Sequence, residues 1–278
     1  MKQIVVVGAG AAGLMAAATA AAAGCQVTVL EKMPSPGRKL LITGKGRCNL
    51  TNACAMEDLI ANMPGNGRFL HSVYKIFGNT DLISWMEERG VSTKVERGGR
   101  VFPVSDKARD VVDALTEELA RQGVRLLCGH PVKQLLLSDG CVTGVATAQE
   151  VFPAQAVIIA TGGASYPATG SSGDGYKLAI QAGHNIIPIK PSLVPLEVGE
   201  DWVKELQGLS LRNVSATVYE SGKKIADDFG EMLFTHYGLS GPIILSLSKY
   251  AAQSLDKGGD VTLAVNLKPA LREDILDK

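Results

Sequence analysis

The sequence is poor in the features that mark several large classes of protein. It has five cysteines, Cys25, Cys48, Cys54, Cys128 and Cys141, an odd number with no CxxC pair. That argues against a disulfide framework and against a zinc site, so no metal is expected. Neither sign of charge is in excess, since Lys plus Arg and Asp plus Glu both total 28. No whole-molecule field therefore draws the chain to nucleic acid or to an anionic membrane, and binding has to come from local sites. Hydrophobic residues make up 46% of the chain, yet no apolar run approaches the roughly 20 residues that span a bilayer. The apolar start has only Lys2 before it and is broken by Gly8, Gly10 and Gly13, unlike a signal peptide. A cytoplasmic protein with mostly buried, reduced thiols is expected.

What is present begins at the N-terminus. Ile4 to Val7 is a continuous β-branched run, suited to a buried strand of a parallel sheet. It leads into Gly8-Ala9-Gly10-Ala11-Ala12-Gly13 and an alanine-rich helix from about Ala12 to Ala23, stopped by Gly24. A second buried strand, Gln26 to Leu30, ends at Glu31. In such a unit Gly8 allows the tight turn, Gly10 the approach of a pyrophosphate, and Gly13 close packing of helix on strand. The phosphates meet free N–H groups at the helix start. Glu31, 18 residues after Gly13, stands at about the separation where a carboxylate meets an adenosine ribose. Dinucleotide binding is the expectation.

Which dinucleotide is decided further along. Strands are expected around Leu126 to Cys128, Val132 to Leu137, Val142 to Ala146 and Ala156 to Ala160, with Ser138-Asp139-Gly140 as a hairpin turn. A nicotinamide domain would continue with helical crossovers. A β-meander returning to a buried strand and the turn Ala160-Thr161-Gly162-Gly163 instead resembles the glutathione-reductase-like class of FAD proteins.

The loop LLITGKGRCNLTN, Leu40 to Asn52, has cations and amides and no acid. With Arg38 and Lys39 just before it, Arg47 is expected to neutralise pyrophosphate, Asn49 and Asn52 to reach a ribityl chain or flavin edge, and Gly44 and Gly46 to let backbone N–H groups come close.

Four longer strings carry a specific resemblance: GRKLLITGKGRCNLTN, GRVFPVSDKA from Gly99, ATGGASYPATGSSGDGYKLA from Ala160 and EMLFTHYGLSGPIILSLS from Glu231. Together they resemble the BaiN/YhiN-like flavoprotein family, with aminoacetone-oxidase-type NAD(P)/FAD-dependent oxidoreductases among its members. The resemblance implies a Rossmann-like FAD-binding domain with an inserted β-rich domain. It implies FAD held at Gly8, Gly10, Ala12 and Gly13, at Glu31 and Lys32, and at Arg38 and Lys39. It extends the set to Gly44, Arg47, Cys48 and Asn49, and to Val132, Thr161 and Gly162. Family members also continue past the position of Lys278, so the chain is read as incomplete at its C-terminus, with ALREDILDK starting a helix.

The expected organisation is an α/β FAD-binding domain over residues 1–190, with a helical excursion over 56–123, followed by a partial β-barrel-like domain over 191–278. Within the excursion Thr80 and Ser105 are expected to cap helices ended by Gly90 and Gly123. In the second domain strands are expected at Leu193 to Leu196, Ser215 to Tyr219 and Val261 to Leu267. The function expected is hydride transfer between FAD and a small organic substrate, with NAD(P)H as a possible donor and without nucleic acid or membrane partners. His236 and Tyr237 are weak candidates for proton transfer, and Tyr166 and Arg100 weaker ones. Two alternatives stand. One is a disulfide oxidoreductase using Cys48 and Cys54, with a thiolate acidified by Arg47; five residues separate the pair, a wider spacing than that class uses. The other is a redox-inert FAD-binding module.

Overall fold

The computed structural model describes residues 1–63 and 65–271. In chain order the first part runs β1 (Gln3–Val7), α1 (Ala11–Ala22), β2 (Gln26–Glu31), α2 (Arg38–Ile42), β3 (Thr51–Asn52), α3 (Met56–Ala61), α4 (His71–Ile76) and α5 (Asn79–Glu87). It continues with β4 (Thr93–Glu96), β5 (Arg100–Pro103), α6 (Ala108–Arg121), β6 (Arg125–Cys128), β7 (Gln134–Ser138), β8 (Cys141–Ala146), β9 (Val151–Pro153), β10 (Ala156–Ile159) and α7 (Asp174–Gln181). The chain divides into two compact units, 1–186 and 187–278.

The first unit is a Rossmann-type α/β fold around a parallel sheet of order β10-β1-β2-β6. Val6, Val27 and Val29 share a buried core with Leu14 and Ala17 of α1 and Val111, Leu115 and Leu119 of α6. Gly24 adopts φ +80° after α1, the left-handed stop expected of it. β7, β8 and β9 form a separate antiparallel sheet, whose Leu135, Val145 and Phe152 pack with Val5, Val7 and Leu30.

Three expectations are corrected. The Leu126–Cys128 strand is no part of the meander: it pairs in parallel with β2, Leu126 beside Val29, because the α6 crossover returns it to that edge. The 56–123 stretch is not purely helical, since β4 and β5 form a hairpin that takes β3 on its other side, and α6 belongs to the main core. Neither expected cap is used. α5 starts after Gly78, whose N–H donates to the Asp81 carboxylate at 2.7 Å, and α6 starts after Lys107.

The second unit contains β11 (Leu196–Glu197), α8 (Trp202–Glu205), β12 (Ser210–Glu220), β13 (Lys223–Thr235), β14 (Gly238–Ser240), α9 (Pro242–Leu255) and β15 (Val261–Asn266). Its sheet, order β11-β14-β13-β12-β15, buries Val214, Ala216 and Val218 with Ile243, Ile244 and Leu247 of α9. The expected terminal helix falls largely on residues 272–278, outside the described residues. Among the described residues no helix is long and apolar enough to cross a membrane.

Candidate cofactor site

The carboxyl ends of β1, β2 and β10 open into a cavity of about 770 Å³, within the usual size range of ligand pockets. Its floor is the β1–α1 elbow. The Gly8 N–H donates to the Leu30 carbonyl at 2.8 Å, and a Cβ on Gly8, at φ +105°, would come within 2.5 Å of the Ala160 carbonyl oxygen. A Cβ on Gly13 would overlap the Gly8 carbonyl oxygen, so α1 can rest on the elbow only through glycine. Gly10 differs, because a Cβ there meets nothing within 4 Å. The space above it belongs to the cavity.

Glu31 leaves the end of β2 and turns back over this elbow. One carboxylate oxygen accepts from the Ala9 N–H at 2.7 Å and the other from the Met33 N–H at 2.8 Å. Each oxygen keeps a lone pair for a further donor.

Two lysines join the segment after β2 to the segment between β10 and α7. Lys32 Nζ lies 2.5 Å from Asp174 Oδ2 and 2.5 Å from Ser172 Oγ. Lys39 Nζ donates to the Ser165 carbonyl at 2.9 Å and to Ser171 Oγ at 2.7 Å. The hydrogen bond from Lys32 holds the Asp174 carboxyl below its ordinary range, against a smaller effect of burial and with help from Ser172.

The structure brings many of the sequence-derived residues to this cavity. Gly8, Gly10, Ala11, Ala12, Glu31, Lys32, Arg38, Lys39, Val132, Ala160, Thr161 and Gly162 line it. Gly13 lies beneath the elbow. Gly44, Gly46, Arg47, Cys48, Asn49 and Gly163 are not among the lining residues.

Arg47 corrects an expectation. Its guanidinium lies 2.7 Å from Glu96 Oε1 and 3.3 Å from Asp106 Oδ1, stacked 4.1 Å above the Phe102 ring. Glu96 is the foremost cause of its raised pKa. Cys48 corrects another. The side chain is buried, and burial pushes its thiol pKa up, against a smaller opposing hydrogen bond with Thr43. The acidifying partner expected of Arg47 is not offered to this thiol, since the guanidinium is paired with Glu96 and Asp106.

His236 and Tyr237 occupy the turn between β13 and β14 in the second unit, their rings edge to face at 4.6 Å. Sequence reasoning passed over Ser171, Asp174 and His130, all of which line the cavity. The string GSSGDG was the available signal for the first two. His130, whose Nδ1 lies 2.8 Å from the Cys128 carbonyl oxygen, carried none.

Comparison with known proteins agrees with the Rossmann-type fold. The family model for the HI0933-like protein Rossmann domain matches residues 2–264. The chain is 36% identical over 274 residues to a 3-dehydro-bile acid delta(4,6)-reductase of Clostridium scindens, covering 98% of this chain and 66% of the relative. It is 33% identical over 247 residues to a ribosomal RNA dihydrouridine synthase of Escherichia coli, covering 88% and 60%. A protein of the same name from Haemophilus influenzae is 34% identical over 252 residues, covering 88% and 61%. The chain thus spans about two thirds or less of the length of these relatives. It belongs to the HI0933-like, BaiN/YhiN-type family of Rossmann-fold proteins.

Proposed function

We propose that the chain forms the FAD-binding part of an oxidoreductase that saturates a carbon–carbon double bond conjugated to a carbonyl. The observation that carries the cofactor reading is the Glu31 carboxylate folded over the Ala9 amide beside the open face of Gly10. Such a cradle suits a pyrophosphate at the start of α1 and a ribose within reach of an acid. The proposed substrate chemistry draws on the relatives. Double bonds at positions 4 and 6 of a 3-dehydro-bile acid extend from the 3-carbonyl, and the uridine bond that a dihydrouridine synthase saturates extends from a ring carbonyl.

FAD, when bound, supplies the hydride for the β-carbon of such a substrate, with NAD(P)H as the proposed source of the electrons. The chain's own residues bind and orient. Gly10, Ala11 and Ala12 offer N–H groups to the phosphates, Arg38 and Lys39 supply positive charge, and Glu31 accepts from the ribose hydroxyls. Val132 and His130 form the wall past β6, on the adenine side. Saturation also needs a proton for the α-carbon, a role for which the sequence offers His236 and Tyr237 only as weak candidates.

The test is anaerobic reduction. Purified protein is saturated with FAD, reduced with NADH or NADPH, and then mixed with a 4-en-3-one steroid or with uridine in RNA. Bleaching of the visible flavin band by the donor and its recovery with one of the two substrates supports the reading. Failure to take up flavin overturns the cofactor assignment. Uptake without bleaching by any donor favours the redox-inert module. The raised pKa of buried Cys48 weighs against the disulfide alternative, because thiol–disulfide exchange needs a thiolate with access.

A further inference from the structure

An apolar stripe repeating every three to four residues along a helix normally turns inward. In α6 it does, with Val111, Val112, Leu115 and Leu119 buried. The 3₁₀ turn Gly67–Leu70 running into α4 has such a spacing at Phe69, Val73 and Ile76, with Phe77 next in extended backbone, but there the apolar residues face out. These side chains are 75, 51, 84 and 37% exposed. Single exposed hydrophobics are ordinary, whereas a contiguous row marks a binding surface.

Charge beside the stripe indicates what it binds. Arg68, His71 and Lys75 are exposed in the same segment, and residues 59–80 contain no Asp or Glu. The balanced charge of the whole chain conceals this local run.

We propose that the stripe is a docking element for an anionic lipid surface. Phe69, Val73, Ile76 and Phe77 enter the headgroup–acyl boundary while Arg68 and Lys75 meet lipid phosphates, the arrangement of interfacial amphipathic segments. RNA fits less well: two fixed cations make a short electrostatic track, and Val73 and Ile76 offer bases no stacking face. A second copy meeting this one stripe to stripe would bring like cations together. Docking of this kind lies on the surface without spanning, and it is independent of the proposed flavin chemistry.

Sedimentation with vesicles tests it. The purified protein is mixed with vesicles of phosphatidylcholine alone or with added phosphatidylglycerol. Binding is expected to the anionic vesicles and to weaken with salt. Ile76→Ser and Phe69→Ser should each lower partitioning about tenfold or more, and Arg68→Gln and Lys75→Gln about fivefold each. All four positions are exposed, and unchanged melting and flavin uptake will confirm that the variants fold. Absence of binding to anionic vesicles, or equal binding by the variants, overturns the proposal. So does a gel shift with RNA, or a dimer in light scattering, that is lost on Ile76→Ser while vesicle binding is unaffected.

Discussion

Glu31 and Ala9 are 22 residues apart in sequence and meet across the elbow, carboxylate oxygen to amide nitrogen at 2.7 Å. The contact ties the end of β2 to the first turn before α1, and the second oxygen ties it to Met33. Glutamine is nearly isosteric but must direct an NH₂ group at one of these two amides. Glu31→Gln should therefore lose about 1–2 kcal/mol of stability and weaken FAD binding about tenfold through loss of a charged acceptor. Thermal melting and fluorescence titration of flavin read the two effects separately.

Gly10 and Gly13 are three residues apart and should respond to alanine in opposite ways. At Gly13 the new methyl overlaps the Gly8 carbonyl oxygen, so α1 must lift from the sheet. A loss of about 3 kcal/mol or more is expected in denaturant unfolding. At Gly10 the methyl enters empty space on the cavity side. Gly10→Ala should melt like the parent yet take up little flavin. A Gly10→Ala protein that binds flavin normally would remove the pyrophosphate from the elbow.

Arg47→Ala separates two roles for the basic loop. A phosphate contact predicts weakened FAD binding. The pairing with Glu96, Asp106 and Phe102 predicts instead that flavin affinity is unchanged while amide exchange rises in Thr93–Pro103. Hydrogen-exchange mass spectrometry with a parallel flavin titration distinguishes them, and the second outcome is expected.

The β1–α1–β2 unit was legible because each of its signals is local: a β-branched run, glycines at turn positions, an alanine helix and Gly24 at its stop. Long-range pairing was not. Leu126–Cys128 is a short apolar run that fits a meander or a parallel edge equally well, and only its register with β2 decides. Arg47 faces the same difficulty, since its partner Glu96 is 49 positions away and nothing around Arg47 announces it. In the second unit, α9 and the polar β13 were passed over. Their apolar positions become recognisable as one face only when Gly230 is seen beneath Ile243. Asp174 and Ser171 likewise meet their lysine partners across 142 and 132 positions, a pairing that nothing in GSSGDG announces.

Asp174 gives a pH signature. Its carboxyl pKa is lowered in the fold, chiefly by the hydrogen bond from Lys32. The unfolded chain therefore binds more protons near pH 4, and the group's contribution to stability is present above about pH 4 and lost as pH falls through the lowered native value. With its side chain 37% exposed, the contribution is below about 1 kcal/mol after screening. Asp174→Asn should flatten the acid limb of melting temperature against pH and leave neutral stability slightly reduced. An unchanged acid limb would show that Lys32 and Asp174 do not pair in solution.

Cys48 and Cys54 decide the remaining mechanistic alternative. A redox pair needs one thiol ionised near neutral pH and accessible. Cys48 is 1% exposed, and burial raises its pKa more than its hydrogen bond with Thr43 lowers it. Iodoacetamide at neutral pH should alkylate Cys48 at least about tenfold more slowly in the native protein than after unfolding, as expected for a buried, un-ionised thiol. Cys54→Ser should leave flavin reduction by NAD(P)H unchanged. Rapid native labelling of Cys48 together with loss of flavin reduction in Cys54→Ser would reinstate dithiol chemistry, because both partners would then be engaged. Mass spectrometry of the labelled peptides and stopped-flow absorbance of the variant supply the two readings independently.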